Sequence, residues 1–310
     1  MTDSSAVPSP VVVVTGANGL VGAATVAALV ERGATVRAVV RRAGTAPSLP
    51  GVEERVGDFP DPAFAADVVA GATAVVTTVH PMGSPLAHQR EIGVEGTPVV
   101  ARAAAQAGVD RFVHVSTAAV YDRSPGVGDV DESSVLVGDA GGDYPVTKRD
   151  TDAAVAEVEG ITRVLVRPPA ILGPGETSVW NTLRPAAVRD QERARHTVAQ
   201  QTFSWVHVDD LAAFVADVAT GAVATADAPD AGPVAGGCTP VNVAGGPATN
   251  RDYHSAVTSA VGVEPVWDEG PAWTGQIVSA RAHAWGWTPQ VTLEAALAEL
   301  ADGLRAARNA

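Results

Sequence analysis

Through the first two-thirds of the chain short β-branched runs alternate with alanine-rich stretches long enough for a helix, without an internal sequence repeat. The runs are VVVV (11–14), TVRAVV (35–40), EERV (53–56), TAVVTTV (73–79), RFVHVST (111–117) and TRVLVR (162–167), and helices are expected at 20–32, 62–70, 85–107 and 146–159. Continuous apolar strands separated by helices of this length are the pattern of a parallel sheet covered on both faces. The predicted class is therefore α/β, with a doubly wound parallel sheet.

From about Leu172 the rhythm loosens. An arginine-rich helical stretch (181–198) is followed by a strand, SWVHV (204–208), and a helix beginning at Asp209. Residues 222–237 are low in complexity and read as a mobile loop. A small strand (240–243), a helix near 249–261 and a last helix at 292–308, opened by Thr292 and Glu294, complete the chain. The expected division is a dinucleotide-binding domain over 11–171, with 202–221 returning to it, and a smaller α/β substrate-binding domain over 172–310.

The first unit carries chemistry. In VVVVTGANGLVGAATVAALVERG, Gly16, Gly19 and Gly22 fall between strand and helix. Glycine there permits a tight turn, close approach of backbone N–H groups to a phosphate, and close helix-to-strand packing. The helix N-terminus then presents its positive end to a pyrophosphate. Gly16, Asn18, Gly19, Leu20 and Gly22 are the cofactor-binding residues expected here, on a Rossmann-type sheet. About twenty residues on, where NAD would call for an acid on its ribose, the second strand runs into Arg41 and Arg42. Guanidinium groups suit a 2′-phosphate better than a bare hydroxyl, which favours NADP, with NAD as the alternative.

Lys148 is the one lysine in a chain that has twenty arginines. It follows Tyr144 by one helical turn, so the two side chains share a face. A phenol with an unperturbed pKa of about 10 is a poor acid or base at neutral pH. A fixed ammonium beside it favours the phenolate and brings it into range for proton transfer. A compact ammonium can also hold a ribose hydroxyl where a planar guanidinium cannot, which is a reason for lysine at this position. The side chain is expected to point to the surface and to contribute little to stability. Upstream, Ser116 and Thr117 lie at the carboxyl end of the fifth strand, the end at which open α/β sheets bind ligands.

Composition narrows the rest. A net charge of −14, with no basic cluster, argues against nucleic acid or an anionic membrane as partner. Cys238 is the only cysteine and no Cys/His spacing suggests a metal site. The first ten residues are polar and read as a loose tail without a signal core, and no run approaches a membrane span. A cytoplasmic protein is expected.

Taken together, these residues resemble the extended short-chain dehydrogenase/reductase family, the NAD-dependent epimerase/dehydratases. TGANGLVG (15–22) is similar to its TGxxGxxG turn, GD (57–58) to its adenine-binding turn, STAAVY (116–121) to its hydroxyl-bearing strand end and YPVTK (144–148) to its YxxxK pair. RPPAILGPG (167–175), WVHVDDLA (205–212) and WGWTP (285–289) match further motifs in the same order. The resemblance implies NAD(P), hydride chemistry at a carbon bearing oxygen, and a small-molecule substrate, and it is compatible with a homodimer. It makes Tyr144 the general acid/base, Lys148 its electrostatic and ribose-binding partner, Thr117 rather than Ser116 the donor to the substrate oxygen, and Asp58 the adenine contact.

Two departures bear on activity. Gly93, in GVEGT (93–97), stands where the family has an asparagine that orders its proton relay, though the backbone carbonyl is expected to remain available. Ala118 and Ala119 follow the catalytic threonine where the 4,6-dehydratases carry an acidic pair, which disfavours water elimination. Among other candidates, His80 could line the nicotinamide pocket or be structural, and Asp209 is expected to cap a helix. Loop 122–143 is expected to border the substrate, and Trp267, Trp273, Trp285 and Trp287 to pack the small domain. The expected function is an NADP-preferring oxidoreductase. A nucleotide-sugar epimerase holding NAD tightly is the alternative, and a catalytically dead cofactor sensor is the third reading.

Overall fold

The computed structural model describes residues 9–309; the tail expected over residues 1–10 lies, but for its last two residues, outside them. Strand β1 (Val11–Thr15) leads into α1 (Leu20–Glu31), followed by β2 (Thr35–Val40), β3 (Val52–Val56), α2 (Pro62–Val69), β4 (Ala74–Thr77), α3 (Leu86–Arg90), α4 (Thr97–Gln106), β5 (Arg111–Val115), α5 (Asp143–Ala156) and β6 (Thr162–Arg167). Beyond them come β7 (Ala170–Leu172), α6 (Arg184–Asp190), β8 (His196–Val198), β9 (Trp205–His207), α7 (Val208–Thr220), β10 (Cys238–Asn242), α8 (Asn250–Val261), β11 (Val266–Asp268), α9 (Ala280–Ala284) and α10 (Leu293–Asn309).

Seven strands form one parallel sheet in the order β10-β6-β5-β4-β1-β2-β3. The burial of β1, β4 and β6 is nearly unbroken along each strand, so helices cover both faces. On one face Val26 and Leu29 of α1 pack with Phe214, Val215 and Val218 of α7 over Val12, Val36 and Val76. On the other, Val68 and Val69 of α2, Val100 and Ala104 of α4 and Val155 of α5 pack over Val13, Val75, Phe112 and Leu165. A separate core of Leu172, Phe203, Trp205, Tyr253, Val257, Ala296 and Leu300 holds the later part of the chain together.

The sheet draws residues from both sides of the boundary expected at 172. The strand expected as a small one at 240–243 is β10, which pairs in parallel with β6 as the edge of the main sheet. Trp285 and Trp287 pack against Phe214 of α7, in the sheet's own core rather than in the small one. The arginine-rich stretch is not one helix: α6 ends at Asp190, and β8 pairs with β11. The helix expected at 85–107 is interrupted by a π turn over Glu91–Gly96. His207, not Asp209, caps α7, accepting the Asp209 N–H on Nδ1. The loop over 222–237 is tied down by a bridge between Ala226 and Val234 and by Arg281, whose guanidinium reaches Asp230 and the Pro240 carbonyl.

Candidate active site

All seven strands point the same way, so their carboxyl ends gather at one edge of the sheet, where the site residues collect. Gly16 turns there with φ +70°, and a Cβ on it would lie 2.8 Å from Thr78 Oγ1. A Cβ on Gly22 would lie 2.1 Å from the Gly16 carbonyl oxygen, so α1 can approach the turn only with glycine at that position. Gly19 begins α1 without a side-chain cap and the first turn holds no acid. Its leading N–H groups and the positive end of the helix are therefore left for an anion. A cleft of about 410 Å³ opens at this point, lined by Asn18, Gly19, Leu20, Pro174, Gly175 and Asp209 among others. A bare cradle that a Cβ would fill, at an uncapped helix N-terminus, fits the diphosphate of a dinucleotide.

Arg41 and Arg42 are exposed after β2 and their guanidinium groups make no hydrogen bond among the described residues. The loop that follows is fixed by Glu54 on β3, whose carboxylate accepts the N–H groups of Gly44, Thr45 and Ala46 at 2.9, 3.1 and 3.0 Å. Those bonds hold its pKa below the usual carboxylate value. Thr45 Oγ1 donates to the Arg42 carbonyl at 2.7 Å and accepts from Asn18 Nδ2 at 3.4 Å, joining this loop to the glycine turn. Asp58 is exposed in the turn after β3, which stays beside β2 because the Gly57 N–H donates to the Val40 carbonyl at 3.0 Å.

Strand β5 ends at Val115 rather than at Thr117, but the chain stays beside β6: the Ser116 N–H donates to the Val166 carbonyl at 2.7 Å. Thr117 is extended, 5% exposed, and its Oγ1 accepts the Ala119 N–H at 3.1 Å. Tyr144 sits in the first turn of α5 with its hydroxyl facing Thr117. Burial raises the phenol's pKa; Thr117 pulls it down and Asp152 pushes it further up. The net lowering expected from Lys148 is not found: burial outweighs the groups that favour the phenolate. The ammonium donates to the Val115 carbonyl at 2.9 Å. Nor does Lys148 point to the surface: it is 3% exposed, and burial lowers its pKa to about 8 against the upward pull of Asp152.

His80 stands at the site. Its ring meets the Tyr144 ring edge-on with centroids 5.0 Å apart, and Nε2 is 3.2 Å from Gln89 Oε1. Burial, reinforced by Lys148, pushes its pKa down to about 4, so it is neutral at pH 7. Gly93 lies in the π turn, where its carbonyl accepts the Thr97 N–H. A Cβ there would lie 2.7 Å from Thr151 Oγ1, so a side chain at this position would require Thr151 on α5 to move. Sequence reasoning passed over Gln89, Asp152, Arg167 and Tyr121; their only signal was polarity at positions that the pattern makes interior. Loop 122–143 reaches the later part of the chain through Val130, which bridges Ile277.

A family model described as NAD(P)H-binding matches residues 16–208. Among curated proteins, sterol demethylase protein B of Methylococcus capsulatus is 32% identical over 182 residues, 56% of this chain and 54% of that protein. A 4-hydroxy-2-methyl-3-oxo-4-farnesyl-3,4-dihydroquinoline-1-oxide ketoreductase of Stigmatella aurantiaca is 34% identical over 176 residues, 53% of this chain and 51% of its own. The chain thus spans about half the length of the curated relatives it matches. Among solved structures, the dTDP-glucose 4,6-dehydratase of Streptomyces venezuelae with NAD bound superposes with a TM-score of 0.76 at 22% identity, covering 96% of this chain and 98% of that one.

Proposed function

The chain belongs to the NAD(P)H-binding family, within the extended short-chain dehydrogenase/reductases, and from that premise we propose that it is an NADP-preferring oxidoreductase acting on a carbonyl or secondary alcohol of a small, largely apolar substrate. The observation that carries this reading is the grouping of buried Thr117 and Lys148 with half-buried Tyr144 at the end of β5, beside the bare glycine turn. Gly16, Asn18, Gly19, Leu20 and Gly22 would hold the diphosphate, Arg41 and Arg42 the 2′-phosphate, Asp58 the adenine and Lys148 the ribose. A homodimer remains part of the proposal.

When bound, the nicotinamide supplies or accepts the hydride. In the reducing direction Thr117 and Tyr144 donate hydrogen bonds to the substrate oxygen, and Tyr144 gives up its proton as the alcohol forms. The buried phenol is held protonated, which suits an acid in this direction. The positive charge of Lys148, one turn away, stabilises the phenolate left behind. His80 packs on the tyrosine ring as a neutral wall and fixes its orientation. The apolar substrate is argued from Met82 and Leu86, exposed side chains within six residues of His80, and from relatives named for a sterol and a farnesylated quinoline.

The alternative is a nucleotide-sugar epimerase that keeps NAD throughout, and likeness of fold to a sugar-nucleotide enzyme is what favours it. The test is a panel of apolar ketones and nucleotide sugars offered to the purified protein while NADPH absorbance and sugar stereochemistry are followed. The proposal expects net NADPH consumption with ketones. Sugar inversion without net consumption of cofactor would replace it with the epimerase.

A further inference from the structure

Among the described residues Lys148 has a single hydrogen-bond partner, and it is uncharged: the Val115 carbonyl. Holding an ammonium away from water is costly unless an opposite charge lies close by. One helical turn further along α5 comes Asp152, 2% exposed. Its Oδ2 accepts from Arg167 Nε at 3.0 Å, while Oδ1 has no hydrogen-bond partner among the described residues. Arg167 also donates Nη1 to the Tyr121 hydroxyl at 2.9 Å, and Tyr121 donates to Asn242 Oδ1 at 2.8 Å. This buried chain ties α5 to the ends of β6 and β10 directly beside the proposed catalytic trio.

We propose that Asp152 is a positioning residue, whose carboxylate keeps Lys148 charged in the interior and aimed at the end of β5, with Arg167, Tyr121 and Asn242 fixing the carboxylate in place. Its catalytic consequence rests on the reading of Lys148 as Tyr144's partner; its electrostatic part does not. The ionisable groups facing Lys148 come from four elements: Asp152 and Tyr144 on α5, His80 after β4, His114 on β5, and Arg167 on β6, which reaches it through Asp152. Both histidines are held neutral by burial, and His114 Nδ1 is 2.8 Å from the Thr77 hydroxyl. Tyr144 is held protonated. Burial raises the Asp152 carboxyl, Arg167 and Lys148 draw it back down, and its ion pair with Arg167 at 3.0 Å makes it the anion of the group. Asp152 already raises a lysine that burial lowers to about 8; removing it takes the value lower still.

The composition provides a direct probe. With one lysine in the chain, protein grown on carbon-13-labelled lysine gives one side-chain resonance whose shift follows the charge of Lys148. The wild-type midpoint is expected at about 8. Asp152→Asn is expected to weaken proton affinity about tenfold or more. Asp152→Glu keeps the carboxylate and leaves the proposal testable if Asp152→Asn fails to fold, since its midpoint should stay close to that of wild type. An unchanged midpoint in Asp152→Asn, or a midpoint in Asp152→Glu displaced about tenfold or more below wild type, overturns it. The alkaline limb of the pH–kcat profile should move with the midpoint. If the midpoint falls while kcat at pH 8 stays at wild type, the catalytic role of Lys148 is lost while the electrostatic role of Asp152 stands.

Discussion

The ammonium of Lys148 donates to the carbonyl of Val115 at 2.9 Å, so the chain's one lysine is anchored to the strand whose continuation, two residues on, carries Thr117. Helix α5 therefore delivers a phenol and a buried positive charge to the same strand end. Arginine would have to fit a longer planar head into a site that leaves Lys148 3% exposed.

Lys148→Arg is accordingly expected to lower turnover by about 10²-fold or more. Lys148→Met is expected to be at least as inactive, yet folded. Stability should separate wild type from Lys148→Met in a pH-dependent way. The folded pKa of about 8 lies below the usual 10.5, so the burial cost is full below about 8 and fades as pH rises toward 10.5. Wild type should gain on the order of 3 kcal/mol relative to Lys148→Met across that window. Denaturant titrations at pH 7 and 10 check this; a constant difference would contradict it.

Thr117→Ala is expected to leave cofactor affinity nearly unchanged and to reduce kcat, because its hydroxyl faces Tyr144 and the substrate position. Ser116 is 4% exposed and lies against Asp152, so Ser116→Ala should affect turnover less. The reverse ranking would shift the catalytic hydroxyl by one residue.

The exposed, unpartnered guanidinium groups of Arg41 and Arg42 are expected to give NADPH about a tenfold or greater advantage over NADH, since a charged hydrogen bond contributes roughly 1.5–3 kcal/mol. Arg41→Asp combined with Arg42→Ala should abolish or reverse the preference in calorimetric titrations. Equal wild-type affinities for the two cofactors would rule it out.

His80 sets the acid side of stability. With a folded pKa of about 4 against the usual 6.5, it favours the folded state fully above 6.5, and that advantage is lost as pH falls toward 4. The expected slope is up to about 1.4 kcal/mol per pH unit for one proton. His114, also held neutral, adds to it, so His80→Gln should reduce the slope by about one proton without removing it. An unaltered slope in the variant would mean that His80 titrates normally.

The parallel sheet was legible because β1 and β4 are apolar along nearly their whole length, as strands covered on both faces are. The glycine turn was legible from the spacing of its three glycines, and at Gly16 and Gly22 a Cβ would collide with neighbouring atoms. What escaped depended on distant partners. The membership of β10 in the main sheet is decided by pairing with β6 across 70 residues of intervening chain. The depth of Lys148, and the displacement of its charge from Tyr144 toward Val115 and Asp152, depend on how α5 lies on β5 and β6. Gly93 read as a missing asparagine; in space it is the place where the π turn meets Thr151.

In the proposed reaction Tyr144 carries the proton while hydride passes to or from the substrate carbon. Tyr144→Phe removes one hydroxyl and keeps the ring that His80 packs against. NADPH-dependent reduction of the best ketone found by screening, measured beside NADPH affinity in the same preparation, is the direct test. The expected result is a fall in kcat of about 10²-fold or more with cofactor affinity within about threefold of wild type. Wild-type turnover in Tyr144→Phe would contradict it.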